Sequence, residues 1–141
     1  MRLSLKAAID KRSELTRALK RHNELMQVEN SNLSSSHNMP DLLSKIRVGN
    51  ENLESIKLLI EDANHGGKVF SKIFRLRSLT TERSNLEALL SRLGERTGLL
   101  SSAEIGTAVD ELNVDIKRLQ SELDTFNEKT YVEYSPKSRA A

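Results

Sequence analysis

Two stretches of the sequence alternate spacings of three and four between the members of a single stripe. One is Leu42, Ile46, Gly49, Leu53, Ile56, Ile60 and Ala63; the other is Val109, Leu112, Ile116, Leu119, Leu123 and Phe126. In an α-helix this spacing stacks every member on one narrow side, the seam through which helices pack on one another. Isolated helices of this length are marginal in water, so both seams require burial against other helices of the chain or against copies of it. The constraint fixes an architecture and leaves the chemistry open.

Composition narrows the class further. Aromatic residues make up 4% of the 141 residues and charged residues 30%, with two prolines and no tryptophan. Sheets need β-branched and aromatic strands, so a helical chain is expected. The absence of cysteine rules out disulfides and thiolate metal sites, and fits a reducing compartment. No apolar run approaches the roughly 18–20 residues of a membrane span. Lys6 and Asp10 interrupt what would be the apolar core of a signal peptide, so a cytoplasmic protein without a signal peptide, or one within a macromolecular particle, is expected.

The spacing predicts four helices over about 3–30, 40–64, 68–96 and 107–128, in one helical domain spanning 1–130. The fold class is all-α: an antiparallel four-helix bundle or long helical hairpins with coiled-coil-like packing. A polar connection, Ser31 to Pro40, separates the first two helices, and Asn38 is a good N-cap with Pro40 and Asp41 behind it. The short break at Asn64-His65-Gly66-Gly67 predicts an antiparallel hairpin of helices two and three, with the glycines turning through positive φ. Gly94 and Gly98 mark the end of helix three. Ser101-x-x-Glu104 reads as a capping box for a brief turn stopped by Gly106, and Thr107-x-x-Asp110 as the start of helix four. Residues 131–141 read as an extended tail.

Charge sorts by helix. The first helix carries +3, the second −2, the third +4 and the fourth −4, so antiparallel neighbours can pair basic flanks with acidic ones. Each exposed pair contributes at most ~1 kcal/mol, so the pattern selects register more than it stabilises. Arg12 and Arg83 interrupt the seams of the basic helices. Each either lays its methylenes on the seam and carries its head to the edge, or pairs across the core with a glutamate. Gly49, inside a helix where glycine costs ~1 kcal/mol relative to alanine, marks either a close approach or a local weakness.

Candidate chemistry is sparse. Lys68, Lys72, Arg75 and Arg77, interleaved with Phe70 and Phe74, form the densest basic cluster. They suit phosphate contact with the aromatics as a stacking face. The competing and preferred reading makes the phenylalanines core or interface residues flanked by solvated cations. His22, His37 and His65 fall on different segments without a second ligand at helical spacing. The acids of helix four, including Asp110, Glu111, Asp115, Glu122 and Asp124, lack the Glu-x-x-His of a di-iron bundle. Gly66-Gly67 is not followed by the Lys-Ser/Thr of a phosphate loop. No cofactor, metal or catalytic residue is expected.

The order of features resembles a small family of uncharacterised bacterial helical proteins labelled septicolysin. The resemblance rests on Leu5 to Leu15 with Arg12, Leu59-Ile60 with Asn64, Arg75 to Leu90, Glu104-Ile105, and Leu123 to Thr130 with Asn127. It implies a helical fold and supplies no catalytic residue. The lysin label would imply membrane damage, whereas narrow seams suit protein partners. The short Asn64 to Gly67 turn departs from the pattern. The expected role is therefore a non-enzymatic structural or adaptor protein, self-associating or docking on other helical proteins, as in a phage or other multiprotein particle. A nucleic-acid or anionic-surface binder using 68–77 comes second, and a membrane-active protein third.

Overall fold

A computed structural model describes residues 1–30, 38–93 and 100–138. Helix accounts for 84% of them, in four segments that pack in pairs, so the all-α class holds. The polar connection at 31–37, His37 and the glycines at 94 and 98 lie outside the described residues. The chain divides into two compact units, one of Met1–Gly66 with Asn127–Ala141 and one of Gly67–Phe126.

In the first unit, α1 runs Leu5–Glu29 and α2 Met39–Gly66. Ser4 starts α1, its hydroxyl accepting the Ala7 amide at 3.1 Å. The expected Asn38 cap starts α2 in the same way, through a 3.1 Å bond from the Asp41 amide. The two helices are antiparallel. Leu25 and Met26 near the end of α1 join the same apolar cluster as Met39 at the start of α2, around buried Leu19, Leu42 and Ile46. Each such aliphatic side chain, fully buried, stabilises by about 1.5–3 kcal/mol.

Gly49 faces the Leu19 side chain of α1: a Cβ built there would lie 2.9 Å from Leu19 Cδ2. The close approach is therefore the reason for a glycine at this seam position, and helix weakness is its by-product.

Two short strands complete this unit. β1 (Arg2–Ser4) and β2 (Tyr131–Glu133) pair antiparallel with Leu3 opposite Val132. The Leu5 amide bonds the Thr130 carbonyl at 2.6 Å, and the Tyr134 amide bonds the Met1 carbonyl at 2.8 Å, extending the ladder at both ends. Residues 131–138 are extended as expected, and they are more than a tail: Val132 and Tyr134 are buried.

In the second unit, α3 (Phe70–Leu93) packs on α4 (Ser102–Lys129), whose last turn counts with the first unit. Leu79 meets Ile116 and Leu119, flanked by Leu76 and Leu112. Lys72 pairs with Glu122 at 3.2 Å and Arg83 with Asn113 at 2.8 Å, a descending register that makes this hairpin antiparallel too. The hairpins that build the units are thus α1/α2 and α3/α4. The break at 64–67 joins one unit to the next.

Two local readings are corrected. Helix four starts at Ser102, because the Ser101 hydroxyl accepts the Glu104 amide at 3.1 Å and so caps the whole helix. Gly106 continues the helix, and Thr107 returns its hydroxyl to the Ala103 carbonyl as an interior residue. At the inter-unit turn, the positive φ of 55° belongs to Lys68, a side-chain-bearing residue.

The two interior glycines should respond oppositely to alanine. A Cβ at Gly106 meets nothing within 4 Å, so Gly106→Ala should raise stability in urea unfolding by up to ~1 kcal/mol. Gly49→Ala should fail to realise that gain while Leu19 is present and recover it in a Leu19→Ala background. Equal gains at both glycines in the native background would show that Leu19 yields freely.

Candidate interaction site

The α2 seam is consumed inside the chain. Leu42, Ile46, Ile56 and Ile60 are buried, while Leu53, Gly49 and Ala63 are half-buried. On α4, Ile116, Leu119 and Leu123 are buried, with Val109, Leu112 and Phe126 half-buried. Leu42, Ile46 and Leu53 pack in the α1/α2 cluster and Leu112, Ile116 and Leu119 in the α3/α4 cluster, and none of the seam residues is exposed.

α3 differs. Leu79 is its one buried residue; Leu76, Leu86, Leu90 and Leu93 on the same side, with Ile73 toward its edge, are half-buried. Half-burial along this stripe leaves its flank partly open to solvent. Arg83 lies within that stripe, donating from Nη1 to Asn113 Oδ1 at 2.8 Å while Nε lies 4.0 Å from Glu87 on its own helix. The cross-helix partner is an amide, whereas the pairing alternative has a glutamate there. Arg12 is half-buried on α1, and its carbonyl accepts the Thr16 hydroxyl at 2.8 Å.

The basic cluster is divided by the fold. Lys72 is taken up by Glu122 of α4. Lys68 precedes α3 at the turn, and Arg75 and Arg77 are exposed on it. Among the described residues, none of these three forms an ion pair. Phe70 and Phe74 stack with centroids 6.2 Å apart and planes at 21°. Phe70 is half-buried and Phe74 is 58% exposed, so of the core and interface alternatives that ring is not in the core of the single chain. At 100° per residue, 70, 74, 77 and 81 share the side of α3 opposite Leu79 and Arg83, so aromatic and cationic groups converge on solvent. A shallow groove follows along this side, lined by Arg77, Ser78, Thr81, Glu82, Asn85 and Leu86.

Among the described residues, no group of three or more His, Cys, Asp or Glu side chains could hold a metal ion. His22 is half-buried beside the α1/α2 groove and His65 is exposed near the end of α2. No described helix is long and apolar enough to cross a membrane.

The feature that sequence reading missed is the seat of residues 134–137 on the first unit. Tyr134 is 1% exposed, and its hydroxyl bonds no other described protein group. Burial pushes the phenol above its ordinary range, with smaller opposing effects of Lys11 and Glu14. Asn52, buried in α2, grips Lys137 by its main chain in both directions. The Asn52 side-chain Nδ2 donates to the Lys137 carbonyl at 3.0 Å, and the Lys137 amide donates to Asn52 Oδ1 at 2.7 Å. Lys137 Nζ then reaches Glu51 at 2.9 Å. The available signal was Tyr131-Val132-Glu133-Tyr134, a β-prone run whose alternate members, Val132 and Tyr134, are the buried ones.

The ring and the hydroxyl of Tyr134 make separable predictions. Tyr134→Phe sacrifices no hydrogen bond to the protein and should shift the unfolding free energy by less than about 1 kcal/mol, whereas Tyr134→Ala should lose roughly 3–5 kcal/mol. Because burial raises the phenol's pKa, the native chain should be steady below the ordinary tyrosine range and lose stability as pH rises through the raised value. Tyr134→Phe should blunt that alkaline loss, as read by urea unfolding across pH. No protein-family model, curated protein or solved structure matches this chain.

Proposed function

We propose that the chain is a non-enzymatic structural or adaptor protein that docks on helices, of its own copies or of other helical proteins, within a larger assembly. The observation that carries this reading is the open flank of α3. Five apolar side chains in helical register, Ile73, Leu76, Leu86, Leu90 and Leu93, remain half-buried beside a single buried residue. One additional helix laid along that flank would complete their burial in the manner of a coiled-coil seam. An acidic partner helix would suit the +4 charge carried over residues 68–96. The septicolysin-like resemblance implies a helical fold and adds no active site.

Leu90→Asp should abolish association, measured as a fall in light-scattering mass or loss of a helical partner, with helicity by circular dichroism retained. Unchanged mass and partner binding would overturn the seam-docking reading.

A second reading has its own observation: exposed Phe74, stacked on Phe70, projects on the same side of α3 as Arg77, with Lys68 and Arg75 nearby. Stacking plus adjacent cations is how single-stranded nucleic acid is held without sequence preference. Binding of an oligonucleotide should then weaken steeply with salt and be lost in a Phe74→Ala, Arg77→Glu chain. No binding at low salt would remove it.

A further inference from the structure

Residues 131–137 form a strap held by groups that read main chain more than side-chain identity. Three register pairs tie β2 to β1. The carboxamide of Asn52 mimics another strand by giving and taking one hydrogen bond with Lys137. Two side chains, Val132 and Tyr134, are buried under the strap, while Ser135, Pro136 and Lys137 lie exposed above it. Two-stranded ribbons are marginal on their own. The ladder alone therefore does not hold the strap, and opening it leaves both a vacant acceptor and a free strand.

We infer that this acceptor, made by β1 with Glu51 and Asn52 of α2, is an exchange site that takes the 131–137 strap of a second copy of the chain. The occupant is fixed by the site itself. It requires an extended backbone with an aromatic side chain three residues before a lysine, and every copy carries Tyr134 and Lys137 at that spacing. Reciprocal exchange re-forms each contact that opening breaks: the ladder, the buried tyrosine, the Asn52 pair and the Glu51 ion pair. The equilibrium is then governed by association entropy and chain concentration, the usual low-barrier route to an exchanged dimer. This surface is separate from the α3 flank, so it does not depend on seam docking.

The chain has no cysteine, which permits a direct test. Arg2 and Glu133 are exposed and directly opposite in the ladder. The ladder bonds at Leu5–Thr130 and Met1–Tyr134 leave them in a non-hydrogen-bonded pair, the closer of the two pair types and compatible with a disulfide. Full-length chains carrying Arg2→Cys alone and Glu133→Cys alone, one of them tagged, are mixed, incubated and oxidised. A disulfide-linked heterodimer should accumulate with incubation and concentration, to several-fold above a mixture of Arg2→Cys with Ser71→Cys, whose thiol sits on exposed α3. Adding Asn52→Ala to both partners should speed its formation several-fold by loosening the strap. Heterodimer no more abundant than in the Ser71→Cys control would overturn the exchange, as would a doubly substituted Arg2→Cys, Glu133→Cys chain that forms no disulfide within or between copies. An unchanged rate with Asn52→Ala would remove Asn52 from the acceptor. Persistence of exchange in a Leu90→Asp background would separate it from seam docking.

Discussion

Leu19 lies against the bare backbone of Gly49, at the apolar contact around which the α1/α2 hairpin is packed. A glycine at the seam lets Leu19 fill the space that a Cβ would occupy. Leu42 and Ile46 then close over Leu19 on one side of the contact. On the other, Asn52 lies one helical turn beyond Gly49, placed to hold the returning strap.

Polar groups at the packed surfaces act as register devices. Arg83 bonds Asn113 and Lys72 bonds Glu122, fixing α3 against α4 at two points eleven residues apart along α3. Both contacts are partly exposed, so each contributes little net stability. Displacing α3 along α4 would break both together. In the first unit Lys6 and Glu128 make a similar but weaker tie at 3.9 Å, between the first turn of α1 and the last turn of α4.

Periodicity made the helices legible, and local chemistry decided their limits. The 3-4 rhythm of α2 and α4 located both seams because burial against one partner is what that rhythm encodes. The rhythm of α3 was equally clear and said nothing about the depth of burial, which depends on how many neighbours surround the stripe. The start of α4 was misplaced because two capping patterns compete six residues apart. Gly106 reads as a stop in isolation, but a helix tolerates it once Ser101 has capped the first turn. For Phe74 the core and interface alternatives could not be separated in the sequence, because i,i+4 aromatics mark either side of a helix equally well. The pairing of β2 with β1 was out of reach because it is long-range: three-residue strands carry almost no periodic signal, and nothing local to 131–134 names Leu3 as a partner.

That separation along the chain bears on the order of folding during synthesis. Leu3 and Val132 are about 130 residues apart, whereas the helices of each hairpin are joined by short local connections. Local hairpins form early because little loop entropy opposes them. As the chain is made, α1/α2 and then α3/α4 can assemble in turn. The first unit, however, waits for residues 131–137 before β1 is paired and Asn52 is satisfied. Until then a chain presents an unfilled strand acceptor beside its first hairpin.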